Sequence, residues 1–312
     1  MAANSEGDTG ADVVVVGAGP AGAATAYHLA TAGADVLLLD KSAFPRDKIC
    51  GDGLTPAAVH ELAAMGVDTT GWARNRGLTV IGGGHTIHMD WPDQKSLPGY
   101  GLTRARADLD HALVRRAVEA GARLVEGATA TGATTDASGR VTGVAVRSGR
   151  GRDARSYTVS APLTVDAGGV AARLSTGLGL AKRANRPMGV AARAYFRSPR
   201  GDEEWMESHL ELWSGEPGRS DLLPGDGGVF PMGDGVVNVG LGSVSSRAGG
   251  TDLPYKKVFE AWTSNLPAEW GLTPGNQIGP LRSAALPMCF NRAPHYAQGL
   301  ALVGDAGGMV SP

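Results

Sequence analysis

Residues Val13 to Asp40 read VVVVGAGPAGAATAYHLATAGADVLLLD. Four consecutive valines stop abruptly at glycine, an apolar run far too short for a membrane span and suited to a fully buried parallel strand. Gly17-Ala18-Gly19-Pro20-Ala21-Gly22 follows, then an alanine-rich segment to Gly33, then a second apolar run, Val36 to Leu39, closed by Asp40. This order predicts strand, glycine turn, helix and strand: a right-handed βαβ unit with a dinucleotide fingerprint in its first turn. Gly17 permits the tight turn, Gly19 lets the backbone approach a pyrophosphate, and Gly22 lets the helix lie against the strand. The free N–H groups and the positive end of the helix dipole then face the phosphates. Asp40, at the tip of the second strand, is placed to accept the hydroxyls of an adenosine ribose.

A chain of 312 residues can bury a large core and is long enough for two domains. Its net charge of −2 and the absence of a basic run argue against a nucleic-acid partner. Two cysteines, Cys50 and Cys289, without a CxxC, fit a reducing cytoplasm better than a disulfide framework. No charged-then-apolar leader is seen, and Met1 to Gly10 reads as a loose polar tail. With no stretch of about eighteen apolar residues, no membrane span is expected, while peripheral membrane contact stays open.

Beyond Asp40, Lys41 to Pro56 reads KSAFPRDKICGDGLTP, an ordered loop leading to a short helix capped by Thr55 with Pro56 at its first position. Strands at Leu78–Ile81 and Thr86–Met89 form a hairpin around Gly82-Gly83-Gly84. A helix is expected from Leu102 to Ala120, with Leu109, Leu113, Ala117 and Ala120 on one face. Three or four strands follow up to Ser160, with a turn at Asp136-Ala137-Ser138-Gly139, then a buried strand at Leu163–Val165. From about Lys182 tryptophans and alternating segments (Met188–Phe196, His209–Trp213, Val236–Val244) predict a second, mainly antiparallel sheet, capped by a helix at Pro254–Leu266. Leu300–Val303 is expected as a third buried strand, ahead of Gly304-Asp305-Ala306. His85 and His88 fall on opposite faces of a strand and make a poor metal pair; no metal site is expected.

Three motifs in order, the GxGxxG, Arg106-Ala107-Asp108-Leu109-Asp110, and GDAGGMVSP at Gly304–Pro312, resemble the flavoprotein monooxygenase and reductase superfamily. The loop FPRDKICGDGLTP, with SHLEL at Ser208–Leu212 and NVGLG at Asn238–Gly242, is similar to the geranylgeranyl reductase family of FAD-dependent oxidoreductases. The resemblance implies an α/β fold: an FAD-binding Rossmann-like domain (11–75, 103–180 and 281–312) and a mainly antiparallel β-sheet substrate domain (76–102 and 181–280). It implies FAD contacts from Gly17, Ala18, Gly19, Pro20, Ala21, Gly22, Asp40, Lys41, Cys50, Gly51, Arg106, Gly304, Asp305 and Pro312. Arg106 would approach the FAD diphosphate or flavin side, Asp305 the ribityl chain, and Cys50 and Gly51 the flavin ring.

The sequence departs from the family in four places. The family's Pro-x-Tyr-x-Trp-x-Phe-Pro strand reads Pro224-Gly225-Asp226-Gly227-Gly228-Val229-Phe230-Pro231, with Asp226 and Gly228 where two aromatic walls would stand. Alanine occupies Ala167 where the superfamily's Asp-Gly motif has its acid, which bears on direct NADPH use. Asp52 stands where many relatives have glycine. Relatives continue past the position of Pro312 into a helix facing the flavin, so weaker FAD retention, or a fragment of a longer protein, is expected.

Three functions stay open. In an FAD-dependent C=C reductase for an isoprenoid or similar apolar substrate, a quinone included, an acid must protonate the alkene. Thiols stay mostly protonated at neutral pH, which makes Cys50 a candidate; Asp226 is a second, if burial raises it. The electron donor would be NAD(P)H or a reduced carrier. Phe230, Pro231, Asn238, Gly240 and Gly242 are the candidate pocket residues, because strand glycines mark close approach of a ligand or another backbone. The alternatives are an FAD monooxygenase for a small apolar or aromatic compound, favoured by the altered pocket strand, and a non-catalytic flavin-fold binder. A halogenase is disfavoured, since no lysine lies between Lys48 and Lys95 and no WxWxIP occurs.

Overall fold

The computed structural model describes residues 10–149, 151–180, 182–183, 185–245 and 254–310. The chain divides into two compact units, Met1–Arg46 with Asp110–Ala184 and Pro287–Pro312, and Asp47–Leu109 with Asn185–Leu286. The first begins with β1 (Val13–Val16), α1 (Pro20–Thr31) and β2 (Val36–Leu39). The chain then enters the second unit as β3 (Gly53–Leu54), α2 (Pro56–Ala64), β4 (Ala73–Asn75), β5 (Gly77–Gly82), β6 (His85–Asp90) and β7 (Gly101–Thr103). It returns through α3 (Arg106–Glu119) to β8 (Arg123–Val125), β9 (Ala128–Thr135), β10 (Val141–Ser148), β11 (Arg155–Ser160), β12 (Leu163–Asp166) and α4 (Arg173–Gly177). The second unit is completed by β13 (Met188–Arg197), β14 (Trp205–His209), β15 (Gly225–Gly233), β16 (Val236–Ser245), α5 (Tyr255–Ser264) and β17 (Gln277–Pro287). The last strands, β18 (Tyr296–Ala297) and β19 (Leu300–Leu302), rejoin the first.

In the first unit the six-stranded sheet runs β18-β19-β12-β1-β2-β8. The valine run pairs in parallel with β2 on one side and β12 on the other. Val14 and Val15 are fully buried, as a strand with neighbours on both edges and cover on both faces requires. A second sheet, β11-β10-β9, packs Val144, Val146 and Val159 into a shared core with Val14, Leu37 and Leu39. The expected turn at its hairpin forms: Asp136 Oδ1 accepts the Ser138 and Arg140 N–H groups, and Gly139 takes a positive φ of 83°.

The second unit holds a seven-stranded sheet, β17-β13-β16-β15-β14-β5-β6, and the small sheet β3-β7-β4. From β13 to β6 its pairings are antiparallel apart from β14 with β5. Alternation along β13, β15 and β16 sends Ala192, Ala194, Phe196, Val229, Val237, Val239 and Leu241 to one face, where Val258, Phe259 and Trp262 of α5 cover them. Period-two geometry therefore assigns Ala191, Arg193, Tyr195, Asn238, Gly240, Gly242, Asp226, Gly228 and Phe230 to the other face.

Three sequence expectations change here. Residues 47–75 and 103–109 pack with the second unit, since β3 and β4 pair with β7 there. Leu102 is in strand β7, and the helix starts only at Arg106. The strand expected at His209–Trp213 is Trp205–His209, so His209 ends it. Among the described residues no helix is long and apolar enough to cross a membrane.

Candidate active site

In the first unit the glycine turn is tight where tightness is needed and open where a ligand is expected. Gly17 has φ of 100°, and a side chain there would strike the Ala167 carbonyl. A Cβ at Gly22 would collide with the Gly17 carbonyl oxygen, whereas in front of Gly19 the nearest atom is Arg46 Nη2 at 3.8 Å. Pro20 opens α1 and lacks the N–H that a first-turn residue leaves unpaired. Asp40, 6% exposed, accepts the Ala18 N–H at 2.9 Å on Oδ2 and the Ser42 N–H at 2.8 Å on Oδ1. Both bonds leave lone pairs for ribose hydroxyls, so Asp40 ties the turn to the strand end as well. Ala21 packs close to Gly304, whose φ of 60° and near contact leave no room for a side chain. Lys41 is exposed.

Arg46, absent from the sequence-derived site, lies beside this turn. Its guanidinium bonds Asp110 Oδ2 at 2.9 Å and stands 3.6 Å from Asp40 Oδ2, so one cation is held over the glycine turn by two buried carboxylates. The sequence signal was thin: a lone arginine six residues past the ribose acid, and an aspartate at the end of RADLD. The turn Gly304–Gly307 that carries Asp305 is pinned from behind by Arg292, 2% exposed, whose Nε donates to the Ala306 carbonyl at 2.9 Å and whose Nη1 donates to the Leu180 carbonyl. Asp166 is fully buried and accepts from Gly168 N–H, Ser175 N–H and Ser175 Oγ; it fixes the turn in which Ala167 packs against Gly17. An open glycine turn, a buried acid at the end of β2 and a cation beside Gly19 fit FAD. Pro312 lies outside the described residues.

In the second unit the loop Asp47–Gly53 lies on the sheet face opposite α5. A Cβ on Gly51 or Gly53 would press on the Phe230 ring at 3.1 and 3.2 Å, and one on Gly53 also on Met206 Sδ at 2.9 Å. Asp52 sits between them with φ of 65° and 1% exposure. Its Oδ2 accepts the Tyr195 hydroxyl at 2.5 Å and Asn238 Nδ2 at 2.8 Å, and Asn238 Nδ2 also donates to the Cys50 carbonyl at 3.0 Å. Burial pushes the Asp52 carboxyl above the usual range, against Tyr195, Asn238, Arg193 and Arg106, which all favour the charged form. Burial and the neighbouring Asp52 push the Tyr195 hydroxyl up, keeping it a donor. Arg193, 4% exposed, bonds Asp47 Oδ1 at 2.5 Å and lies over the Tyr195 ring at 4.2 Å. Arg106, the first residue of α3, is half-buried.

The sheet brings together most of the expected pocket residues. Asn238 pairs with Phe230, Gly240 with Gly228 and Gly242 with Asp226, so all share the face on which Cys50 and Gly51 lie. A Cβ on Gly240 would sit 3.2 Å from the Ala192 carbonyl and 3.4 Å from Arg193 Cβ, the close approach of neighbouring backbone that a strand glycine marks. Pro231 is misassigned: buried and paired with Val237, it belongs to the α5 side, because successive strand residues alternate. Asp226, although exposed overall, is desolvated by its neighbours, which pushes its carboxyl up against the Ser208 hydroxyl bond at 3.1 Å. His209 is buried on the α5 side, edge-on to Trp262 and Trp270 and 3.1 Å from Glu207 Oε2. Burial would raise Glu207, but His209 and Arg200 together hold it below the usual range.

A parallel sheet with this glycine turn, joined to a glycine-striped antiparallel sheet, defines the class: residues 10–312 match the FAD binding domain family, the chain belongs to that family, and it is an FAD-dependent oxidoreductase. Within it the chain is geranylgeranyl reductase-like. It is 39% identical over 309 residues to Menaquinone reductase of Mycobacterium tuberculosis, covering 98% of this chain and 72% of that protein. It is 30% identical over 313 residues to Digeranylgeranylglycerophospholipid reductase 2 of Methanopyrus kandleri, covering 96% and 71%. The fold also superposes on a geranylgeranyl bacteriochlorophyll reductase-like protein of Thermoplasma acidophilum, with a TM-score of 0.79, 22% identity and coverage of 97% and 72%.

Proposed function

We propose that this chain saturates a C=C bond in an isoprenoid or similarly apolar substrate, prenylated quinones included. The observation that carries the reading is the likeness, over nearly the whole chain, to two reductases whose names specify a menaquinone and a digeranylgeranyl lipid. The sheet face supports it: Gly228, Gly240 and Gly242 strip side chains from a surface bordered by Phe230 and by the loop that carries Cys50. FAD would be held by the Gly17–Gly22 turn and Asp40 and, when reduced, would supply the hydride chemistry. The Cys50 thiol donates the proton to one alkene carbon and is reprotonated from solvent; the donor that recharges the flavin is a reduced nicotinamide or a reduced carrier.

Glycines 240 and 242 admit the flat alkene, Asn238 holds the backbone of Cys50, and Phe230 excludes water. Exposed Ile87 and Met89 on β6, with Leu210, supply apolar surface through which the protein would meet the membrane that holds such substrates. A monooxygenase reading has one specific support, the carboxyl of Asp226 on the same face. Oxygen dependence separates the two. A reductase turns over a geranylgeranyl lipid or menaquinone under nitrogen; a strict requirement for oxygen, with oxygen in the product, would establish the monooxygenase.

A further inference from the structure

Asp52 occupies a backbone conformation with φ of 65° that glycine adopts more easily, and its carboxyl is 1% exposed with Oδ1 lacking a protein partner. A buried acid in a left-handed turn is costly twice over. What it gains is Oδ2, which receives Tyr195 from β13 and Asn238 from β16, while the same Asn238 amide holds the Cys50 carbonyl. The Asp52 carbonyl accepts the Arg104 N–H at 3.1 Å, so the residue is gripped at both ends. Gly51 and Gly53 on either side lie against Phe230 and Met206 and bring no side chain of their own.

We propose that Asp52 is a positioning residue: its carboxyl latches the Cys50–Gly53 loop to the sheet through Tyr195 and Asn238 and thereby fixes the Cys50 backbone that carries the thiol. Asp52 does not reach the substrate; it acts through Cys50. Its charged and titratable neighbours are Tyr195, Arg193 and Arg106, with Asp47 paired to Arg193. The latch stands on geometry alone, whereas its consequence for turnover rests on the reductase reading above.

The test is iodoacetamide alkylation of the FAD-loaded chain, resolved by peptide mass spectrometry into Cys50 and Cys289. Both thiols are free and partly buried, so loosening of the whole chain accelerates both, while D52N and N238A separate loss of the latch from loosening confined to the Cys50 unit. D52A, D52G and N238A are expected to raise the Cys50-to-Cys289 ratio by about tenfold, equivalent to roughly 1.4 kcal/mol of lost closure. D52G separates loss of the carboxyl from backbone strain, because glycine adopts the left-handed turn freely whereas alanine is strained there. D52N removes the charge but keeps an acceptor oxygen and tolerates a left-handed turn, so it should keep the wild-type ratio. An unchanged ratio in D52G and N238A, or a D52N ratio as high as that of D52G, overturns the latch. A shifted ratio without any saturated product would instead leave the latch standing and sink the reductase reading.

Discussion

Arg46 is the side chain on which we expect cofactor retention to depend most. It is the nearest group to the space in front of Gly19 and is fixed there by Asp40 and Asp110. Because a guanidinium beside a diphosphate is a charge-assisted donor, R46A should weaken FAD binding by about tenfold, some 1.4 kcal/mol, in a fluorescence titration; unchanged affinity would remove Arg46 from the site. Asp52 gives a pH prediction of definite sign. Its native carboxyl holds a proton above the ordinary value of 3.8, so as pH rises the unfolded chain ionises first and folding stability falls until the native group has also ionised. D52N should therefore melt higher than the wild type at neutral pH, with the gap closing as pH approaches the ordinary aspartate range; a gap independent of pH contradicts this. The glycines of the turn were legible in the sequence because each role follows from spacing. Arg46–Asp110 and Tyr195–Asp52 were not, since partners 64 and 143 positions apart are joined only by the fold.

At the level of elements, β15 and β16 present two faces with opposite demands. On one, a Cβ at Gly227 would enter the Trp262 indole, so G227A should destabilise the chain by about 1–3 kcal/mol through overpacking, read as a lowered denaturant midpoint. On the other, G240L would project from the open face while lying 3.2 Å from the Ala192 carbonyl at its Cβ. Turnover should drop with FAD content retained, and an unchanged rate would remove Gly240 from the pocket floor. Alternation made both strands readable in advance and put Asn238, Gly240 and Gly242 together. Family spacing misled at Pro231, where period-two geometry gives the other face, and the strand bounds misled at His209, where the strand ends rather than begins. The buried pairing of His209 with Glu207 and two tryptophans comes from α5 and the Pro267–Gly271 turn, which no local pattern announces.

For the molecule as a whole, the chain interleaves its two units, leaving the first after Arg46 and rejoining it at Asp110 and Pro287. The βαβ start, the antiparallel sheet and the flavin class were all legible, because each rests on a periodic pattern or a spaced motif. Residues 47–75 were assigned to the other unit because loop and helix signals carry no information about which sheet they join. Hydride and proton delivery to an isolated alkene can be read from product mass. The FAD-loaded protein is reduced anaerobically with dithionite, mixed with menaquinone, and the extracted lipid is exposed to air before mass spectrometry. A saturated isoprenoid tail keeps two added hydrogens after the air step, which is the expected result. A product that returns to the starting mass would show that only the quinone ring had been reduced, and would contradict delivery to the alkene.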